Sequence, residues 1–268
     1  MGICNVTPDS FSDGGKYLDP DAACRRVDEL IAEGADIVDI GGESTRPGTK
    51  PVPADIQLER VLPIVRYAAA KTCVSIDTTS AKVAAACLDA GAHIVNDVSL
   101  LNADEDIARV AGGSGAALVL SHARVPQAEM KGFGGYSLFA YDDVVKDVLR
   151  EWDRAAERAV ALGVASDAII FDPGLGFSKA ARHSFELVRR AAQLIAGAKG
   201  PVLYGASRKS FLTLIDKDAP ATERIGASLA VAIHAARAGA RVLRVHDVRA
   251  TRQALDMEIV LGTARRKI

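Results

Sequence analysis

No stretch of the 268-residue chain reaches the roughly 18 to 20 consecutive apolar residues that cross a bilayer as a helix. Nor does a charged segment followed by an apolar one open the sequence, so the protein reads as soluble, unsecreted and cytoplasmic. Net charge is nearly absent: 33 Lys+Arg stand against 34 Asp+Glu. That balance gives no general attraction to nucleic acid or to acidic membranes, and an anionic substrate must be caught locally. The four cysteines, Cys4, Cys24, Cys73 and Cys87, form no C-x-x-C pair and read as reduced structural thiols. The five histidines, at 93, 122, 183, 234 and 246, lack close metal-ligand spacing, which argues against structural zinc. G-x-G-x-x-G, the P-loop, H-E-x-x-H and G-x-S-x-G are all missing.

What is present is an ordinary globular composition, 49% hydrophobic and 25% charged, which excludes disorder and collagen-like repeats. Eight short β-branched runs recur, at residues 2–6, 36–40, 73–77, 93–97, 116–121, 167–172, 201–205 and 241–245. Most are unbroken apolar runs, as expected of strands covered on both faces of a parallel sheet. Helical periodicity lies between them. The first helix starts after Asp19 with Pro20 at its first position and carries Ala23, Val27, Leu30 and Ile31 on one face. Later helices follow Ala54, Ser80, Asp104, Tyr141, Ser178, Ala221 and Val248. Gly34, Gly91, Gly115 and Gly239, each followed by Ala, read as helix C-caps. Eight units in 268 residues leave about 33 residues each, the size of one β-α unit. The expectation is α/β: one (β/α)8 TIM barrel spanning 1–268, with a doubly wound open sheet as the alternative.

In such a barrel, chemistry gathers at the C-terminal strand ends. Those ends read Asn5, Asp39, Asp77, Asn96-Asp97, Ser121-His122, Asp172, Ser207-Arg208-Lys209 and Arg244-Val245-His246. Singly, each has a plain structural role open to it: a helix cap for Asp77, Asp97 or Asp172, a satisfied core group for His122 or His246, a solvated cation for Arg46, Lys209 or Arg244. Their convergence on one rim favours a site. Asn and Asp suit an amino-pyrimidinone edge, and several cations with Asn suit a phosphate or pyrophosphate. Ser207 and the amides after it are expected to open a helix, which suits a carboxylate.

Five long stretches go further: Gly2 to Gly15 (GICNVTPDSFSDGG), Asp39 to Gly48 (DIGGESTRPG), Asp172 to Phe177 (DPGLGF), Ser207 to Phe211 (SRKSF) and Arg244 to Val248 (RVHDV). In these the sequence closely resembles the dihydropteroate synthases of the pterin-binding barrel superfamily. The resemblance implies transfer of the pterin-methyl group from 6-hydroxymethyl-7,8-dihydropterin diphosphate to p-aminobenzoate, releasing pyrophosphate in folate biosynthesis. It implies that Asp77, Asn96, Asp172 and Lys209 hold the pterin, and that Arg244 stacks on it. Asn5, Arg46, Arg244 and His246 would take the diphosphate, with Asn5 as a ligand of Mg²⁺. Thr45, Arg46, Pro47, Phe177, Ser207 and Lys209 would frame p-aminobenzoate, Asp77, Asp172, Lys209 and Arg244 being the catalytic set. The Gly-rich segments 7–17 and 43–50 would close over the diphosphate. A homodimer built through later helices, with Leu229, Val231 and Ile233 as contributors, and sensitivity to sulfonamides follow from the same likeness. The chain departs from the family after the fifth strand, where Met-His-Met reads Ser121-His122-Ala123 and the segment Arg124 to Tyr141 is atypical, which implies weaker pterin binding. It also starts at the first strand, without the hairpin that usually precedes it. The competing readings are a corrinoid-linked methyltetrahydrofolate methyltransferase on the same barrel and a weakly active pterin-binding homologue.

Overall fold

Side chains on a strand point alternately to its two faces, and on eight strands of this chain one face meets helices while the other meets its counterparts across an enclosed axis. The computed structural model describes residues 1–7, 20–44 and 49–264. Strands β1 (Gly2–Asn5), β2 (Ile37–Gly41), β3 (Cys73–Asp77), β4 (Ile94–Asp97), β5 (Ala117–Ser121) and β6 (Ile169–Asp172) pair in sequence order, all parallel. The short pair β7 (Leu203–Tyr204) and β8 (Val242–Leu243) completes the ring. Single bridges join Phe171 to Val202 and Gly2 to Val245, and Ile3 N–H donates to Val245 O at 3.0 Å. The sheet is therefore closed, as the barrel reading expects, and the open-sheet alternative falls.

Among the described residues the outer layer is α1 (Pro20–Ala32), α2 (Ala54–Ala69), α3 (Ala81–Asp89), α4 (Asp106–Ser114), α5 (Val144–Ala161), α6 (Ala181–Arg189), α7 (Ala191–Gly197), α8 (Ile225–Ala238) and α9 (Val248–Ala264). None of them is long and apolar enough to cross a membrane. Pro20 does begin α1, whose Ala23, Val27 and Leu30 are buried with Ile31 packed beside them; Asp19 lies outside the described residues. Gly34, Gly91, Gly115 and Gly239 all have φ between 67° and 107°, the left-handed cap conformation that glycine adopts without strain. All four cysteines are free, and burial pushes the Cys4 and Cys87 thiols up to about 12.

Three helix expectations change. The sixth unit carries two helices, α6 and α7, broken at Arg190, whose guanidinium is drawn back to Asp143 at 2.9 and 3.0 Å. Helix α5 begins after Asp143, whose carboxylate accepts from Val145 and Lys146 N–H, two residues later than the Tyr141 start implied. After Ser207 no α-helix opens: a 3₁₀ turn covers Ser210–Leu214, and α8 waits until Ile225. Pro220 lies between them, and proline disfavours helical backbone in the residue before it.

Candidate active site

The lower end of the barrel interior is dry. Met1, Ile94, Val119 and Leu203 are buried together, with Ile37, Cys73, Ala117, Ile170 and Val242 packed against them. Two to four residues further along the same strands the inward positions become polar. Asn5, Gly41, Asp77 and Asn96 are successive partners across β1 to β4, so they share one level of the ladder. Gly41 leaves a gap in that level, since a Cβ there would stand 3.4 Å from Asp77 Cβ and 3.7 Å from Asn5 Oδ1.

Arg244, just past β8, reaches across the axis. Its Nε meets Asp39 Oδ2 at 2.6 Å and its Nη2 meets Asp77 Oδ2 at 2.6 Å, while Asn96 Nδ2 donates to the same Asp39 oxygen at 3.2 Å. Burial works against the guanidinium's charge, but Asp39 and Asp77 outweigh it and raise its pKa. For Asp77, burial is the larger effect and raises the carboxyl pKa to about 7, while the Arg244 guanidinium at 2.6 Å restrains the rise and favours the ionised form. Asp39 Oδ1, Ser75 Oγ, Asp77 Oδ1 and Ser121 Oγ are buried without a hydrogen-bond partner. Buried polar atoms are nearly always paired, so these four mark where the N–H groups of a ligand or ordered water belong.

Asp172 ends β6, with Oδ1 accepting from Gly174 N–H at 2.8 Å. Burial raises its pKa, and Lys209 restrains the rise. Lys209 Nζ donates to Leu175 O at 2.5 Å and stands 4.2 Å over the Phe177 ring; burial pulls its ammonium down to about 8 against the attraction of Asp172. Ser207 Oγ accepts from His246 N–H at 3.1 Å and meets His246 Nδ1 at 3.0 Å. Burial, reinforced by Arg244 and Arg208, pulls His246 down to about 4, so the ring is neutral near pH 7.

These groups face a cavity of about 1310 Å³, lined among others by Asn5, Phe177, Ser207, Lys209, Arg244 and His246. Asp77, Asn96 and Asp172 are buried and absent from that lining. Thr45, Arg46 and Pro47 lie outside the described residues, as does most of the segment 7–17. Beside them, Gln127 Nε2 bonds Ser44 O and Thr49 Oγ1, so the two ends of the 45–48 segment are held together.

Two features escaped the sequence. Asp39 reads there only as a strand end, although its place two residues before Gly41 on the inward face puts it opposite Arg244. The atypical Arg124–Tyr141 segment supplies Met130, which packs with Val98, Ala123 and Phe177. His122 points the other way, fully buried against Glu151 and Lys179.

Comparison with known proteins gives this geometry its context. Residues 1–246 match the family of pterin binding enzymes. The dihydropteroate synthase of Mycobacterium leprae is 44% identical over 261 residues, covering 95% of this chain and 90% of the relative. The Yersinia pestis dihydropteroate synthase, solved with a sulfonamide drug complex, superposes with a TM-score of 0.88 at 36% identity, covering 98% of this chain and 93% of that one. The Xanthomonas albilineans dihydropteroate synthase, solved with 4-aminobenzoic acid, gives 0.87 at 36% identity over 98% and 92%. A closed barrel whose polar end sets Asp77, Asn96 and Arg244 against Lys209 and His246, together with likeness along nearly the whole chain, makes this protein a member of the pterin-binding enzymes, in the dihydropteroate synthase family.

Proposed function

We propose that the cavity joins 6-hydroxymethyl-7,8-dihydropterin diphosphate to p-aminobenzoate. The observation that carries this is the buried, unpartnered carboxylate oxygen of Asp77, whose other oxygen is held at 2.6 Å by Arg244 in the wall of a cavity that Lys209 and His246 also line. Acceptors behind that wall suit the N–H edge of a pterin, and Arg244 and Lys209 as cations, with His246 as a neutral neighbour, suit a diphosphate. Breaking the methylene C–O bond sends its electron pair to pyrophosphate and leaves a cation delocalised into the pterin ring. Asp77 is placed to stabilise that charge. The arylamine nitrogen then bonds the methylene carbon and gives up one proton. Phe177, Ser207 and Lys209, with Thr45, Arg46 and Pro47, frame the arylamine, and the site excludes the water that would trap the cation.

Asn5 is the residue that would hold Mg²⁺. Among the described residues no cluster of three His, Cys, Asp or Glu side chains could bind a metal. A single amide oxygen next to the gap at Gly41 nonetheless fits an ion that takes most of its ligands from substrate phosphates and water. When bound, such an ion supplies neutralisation of the diphosphate charge.

A cytoplasmic location and a homodimer belong to the same reading. Val231 is in the core, while Leu229 and Ile233 on the same helix are half-buried. Met257, Ile259 and Leu261 near the end of α9 are the exposed apolar side chains that suit one, and light scattering on the purified protein checks it. Pyrophosphate release, followed with and without p-aminobenzoate and Mg²⁺, tests the activity. Release that requires both, yields dihydropteroate and is inhibited competitively by sulfonamides supports the reading. Release without the arylamine, or none, overturns it and leaves a pterin-binding homologue.

A further inference from the structure

Lys179 takes no part in the chemistry above, yet its side chain is fully buried. Among the described residues no carboxylate pairs with it. Its Nζ meets His122 Nδ1 at 2.8 Å and the carbonyl oxygens of His122, Phe177 and Gly174 at 3.0, 3.0 and 3.1 Å. Four acceptors around one nitrogen call for an ammonium with three N–H donors rather than an amine with a lone pair. Burial drags its pKa well below that of an ordinary lysine, and Asp172 opposes the fall.

The imidazole carries the charge balance outward. His122 Nε2 meets Glu151 Oε2 at 2.9 Å, and Arg124 Nη2 meets Glu151 Oε1 at 2.6 Å. With Nδ1 accepting from Lys179, the proton of a neutral His122 sits on Nε2 and is donated to Glu151. Burial and the neighbouring Lys179 pull the histidine down to about 4 and keep it neutral. Lys179 and Glu151 are thus a cation and an anion joined through a ring.

What the ammonium gathers is the turn after β6. Gly174, Gly176 and Ser178 all have positive φ, 60°, 82° and 49°, and left-handed backbone at a serine is strained and persists only when its surroundings impose it. A Cβ on Gly174 would lie 2.1 Å from His122 O, so the turn packs directly on the end of β5. The carbonyls of Gly174 and Phe177 point at Nζ.

Asp172 and Phe177, at the two ends of this turn, are held differently. The Asp172 carbonyl accepts from Trp152 Nε1 at 3.2 Å and from His122 N–H at 2.8 Å, anchors that do not involve Lys179. Among the described residues the Phe177 backbone bonds Gly174 O, at 2.9 Å, and Lys179, and its ring packs with Val98, Ala123 and Met130.

We propose that Lys179 is a positioning residue for the arylamine half of the reaction: its ammonium fixes the Gly174–Phe177 turn and, through it, the Phe177 ring that borders the cavity beside Lys209. The inference rests on the synthase reading of that cavity. Removing the ammonium withdraws the bond to the Phe177 carbonyl, whereas the Asp172 carbonyl keeps both of its anchors, so the two substrates respond unequally.

The test compares the full-length protein with Lys179→Met. It measures KM for p-aminobenzoate and kcat by pyrophosphate release, and Kd for the pterin diphosphate by quenching of pterin fluorescence. The expected result is a rise in KM for p-aminobenzoate of about tenfold, with kcat within about threefold and pterin Kd within about twofold of wild type. A wild type that makes no dihydropteroate removes the synthase reading and this proposal with it. A wild type that turns over, beside a variant whose two constants rise together or not at all, overturns the positioning role alone. Should Lys179→Met fail to fold, Glu151→Gln keeps the ammonium and weakens its counter-charge; it is expected to raise KM for p-aminobenzoate about threefold with pterin Kd unchanged, and unchanged values for both overturn the proposal.

Discussion

The two ends of the barrel interior are built on the same strands, with the same inward alternation, and differ by two to four residues of chain, about 7 to 13 Å. At the lower end Ile37, Cys73, Ile94, Val119, Ile170 and Leu203 fill the axis with apolar atoms. At the upper end Asp39, Ser75, Asp77, Asn96, Ser121 and Asp172 converge, and four of their oxygens have no partner. A buried apolar layer gains free energy for every methylene it hides, whereas each unpaired buried oxygen costs about 1–3 kcal/mol. The lower layer holds the ring shut. The upper layer is kept in an arrangement it would not choose alone, with its charges already aimed before substrate arrives.

That division of labour is broken most directly by paired substitutions. Asp77→Ala is expected to lower kcat about 10³-fold, some 4 kcal/mol of transition-state stabilisation, with pterin Kd raised by less than about tenfold and thermal stability unchanged or higher. Leu203→Ala is expected to do the reverse: about 3 kcal/mol lost from stability, as for other large-to-small core changes, with kcat/KM measured well below the melting temperature within about twofold of wild type. Denaturant unfolding and steady-state kinetics on the two variants decide it. A Leu203→Ala enzyme as inactive as Asp77→Ala would mean that the lower layer sets the geometry of the upper one.

The ease of reading these regions from sequence differs in the same way. Apolar runs recurring on average once in about 33 residues announce the strands because burial on both faces leaves only β-branched and aliphatic choices, and strand ends such as Asp77, Asp172 and Arg244 stand out against them. The pairing of Arg244 with Asp39 does not stand out, for the two are 205 positions apart and only ring closure brings β8 beside β1. Lys179 is harder still. Nothing local separates a lysine that solvates three carbonyls from one that trails in water, and its burial depends on a turn whose φ angles only its surroundings impose. The short strands β7 and β8 and the split of α6 from α7 lie in the same class, since the ring and the Arg190–Asp143 pair decide them.

The alkaline edge of activity sharpens the comparison from the catalytic side. Burial brings Lys209 down to about 8, so its charge is present below that pH and lost above it. The profile of kcat/KM, which reports the free enzyme, is expected to fall through a midpoint near 8, approaching tenfold per pH unit beyond it. Lys209→Arg keeps the cation at every accessible pH and is expected to remove that limb while lowering the plateau. A limb that survives the substitution assigns the titration to another group.

Acid stability gives the smallest effect and tests the upper end alone, because the lower layer's side chains contain nothing that titrates between pH 4 and 7. His122 and His246 both sit at about 4 in the folded protein, against an ordinary 6.5; burial is the first cause in each, joined by Lys179 for one and Arg244 for the other. A folded-state pKa below the unfolded value means that the unfolded chain binds more protons across that interval. The stabilisation is complete above pH 6.5 and drains away as pH falls toward 4. Glu151, held at about 2 by hydrogen bonds from His122 and Arg124 that outweigh its burial, adds a second loss only below its ordinary 4.5. Each histidine is therefore expected to take about 1 kcal/mol from the unfolding free energy between pH 6.5 and 5.5, against a gain of opposite sign from Asp77, whose folded-state pKa burial raises to about 7, and His122→Asn is expected to remove its own share of the loss while leaving the part due to His246. A slope unaltered in the variant would mean that His122 is protonated in the folded state, and an imidazolium there could not accept from Lys179.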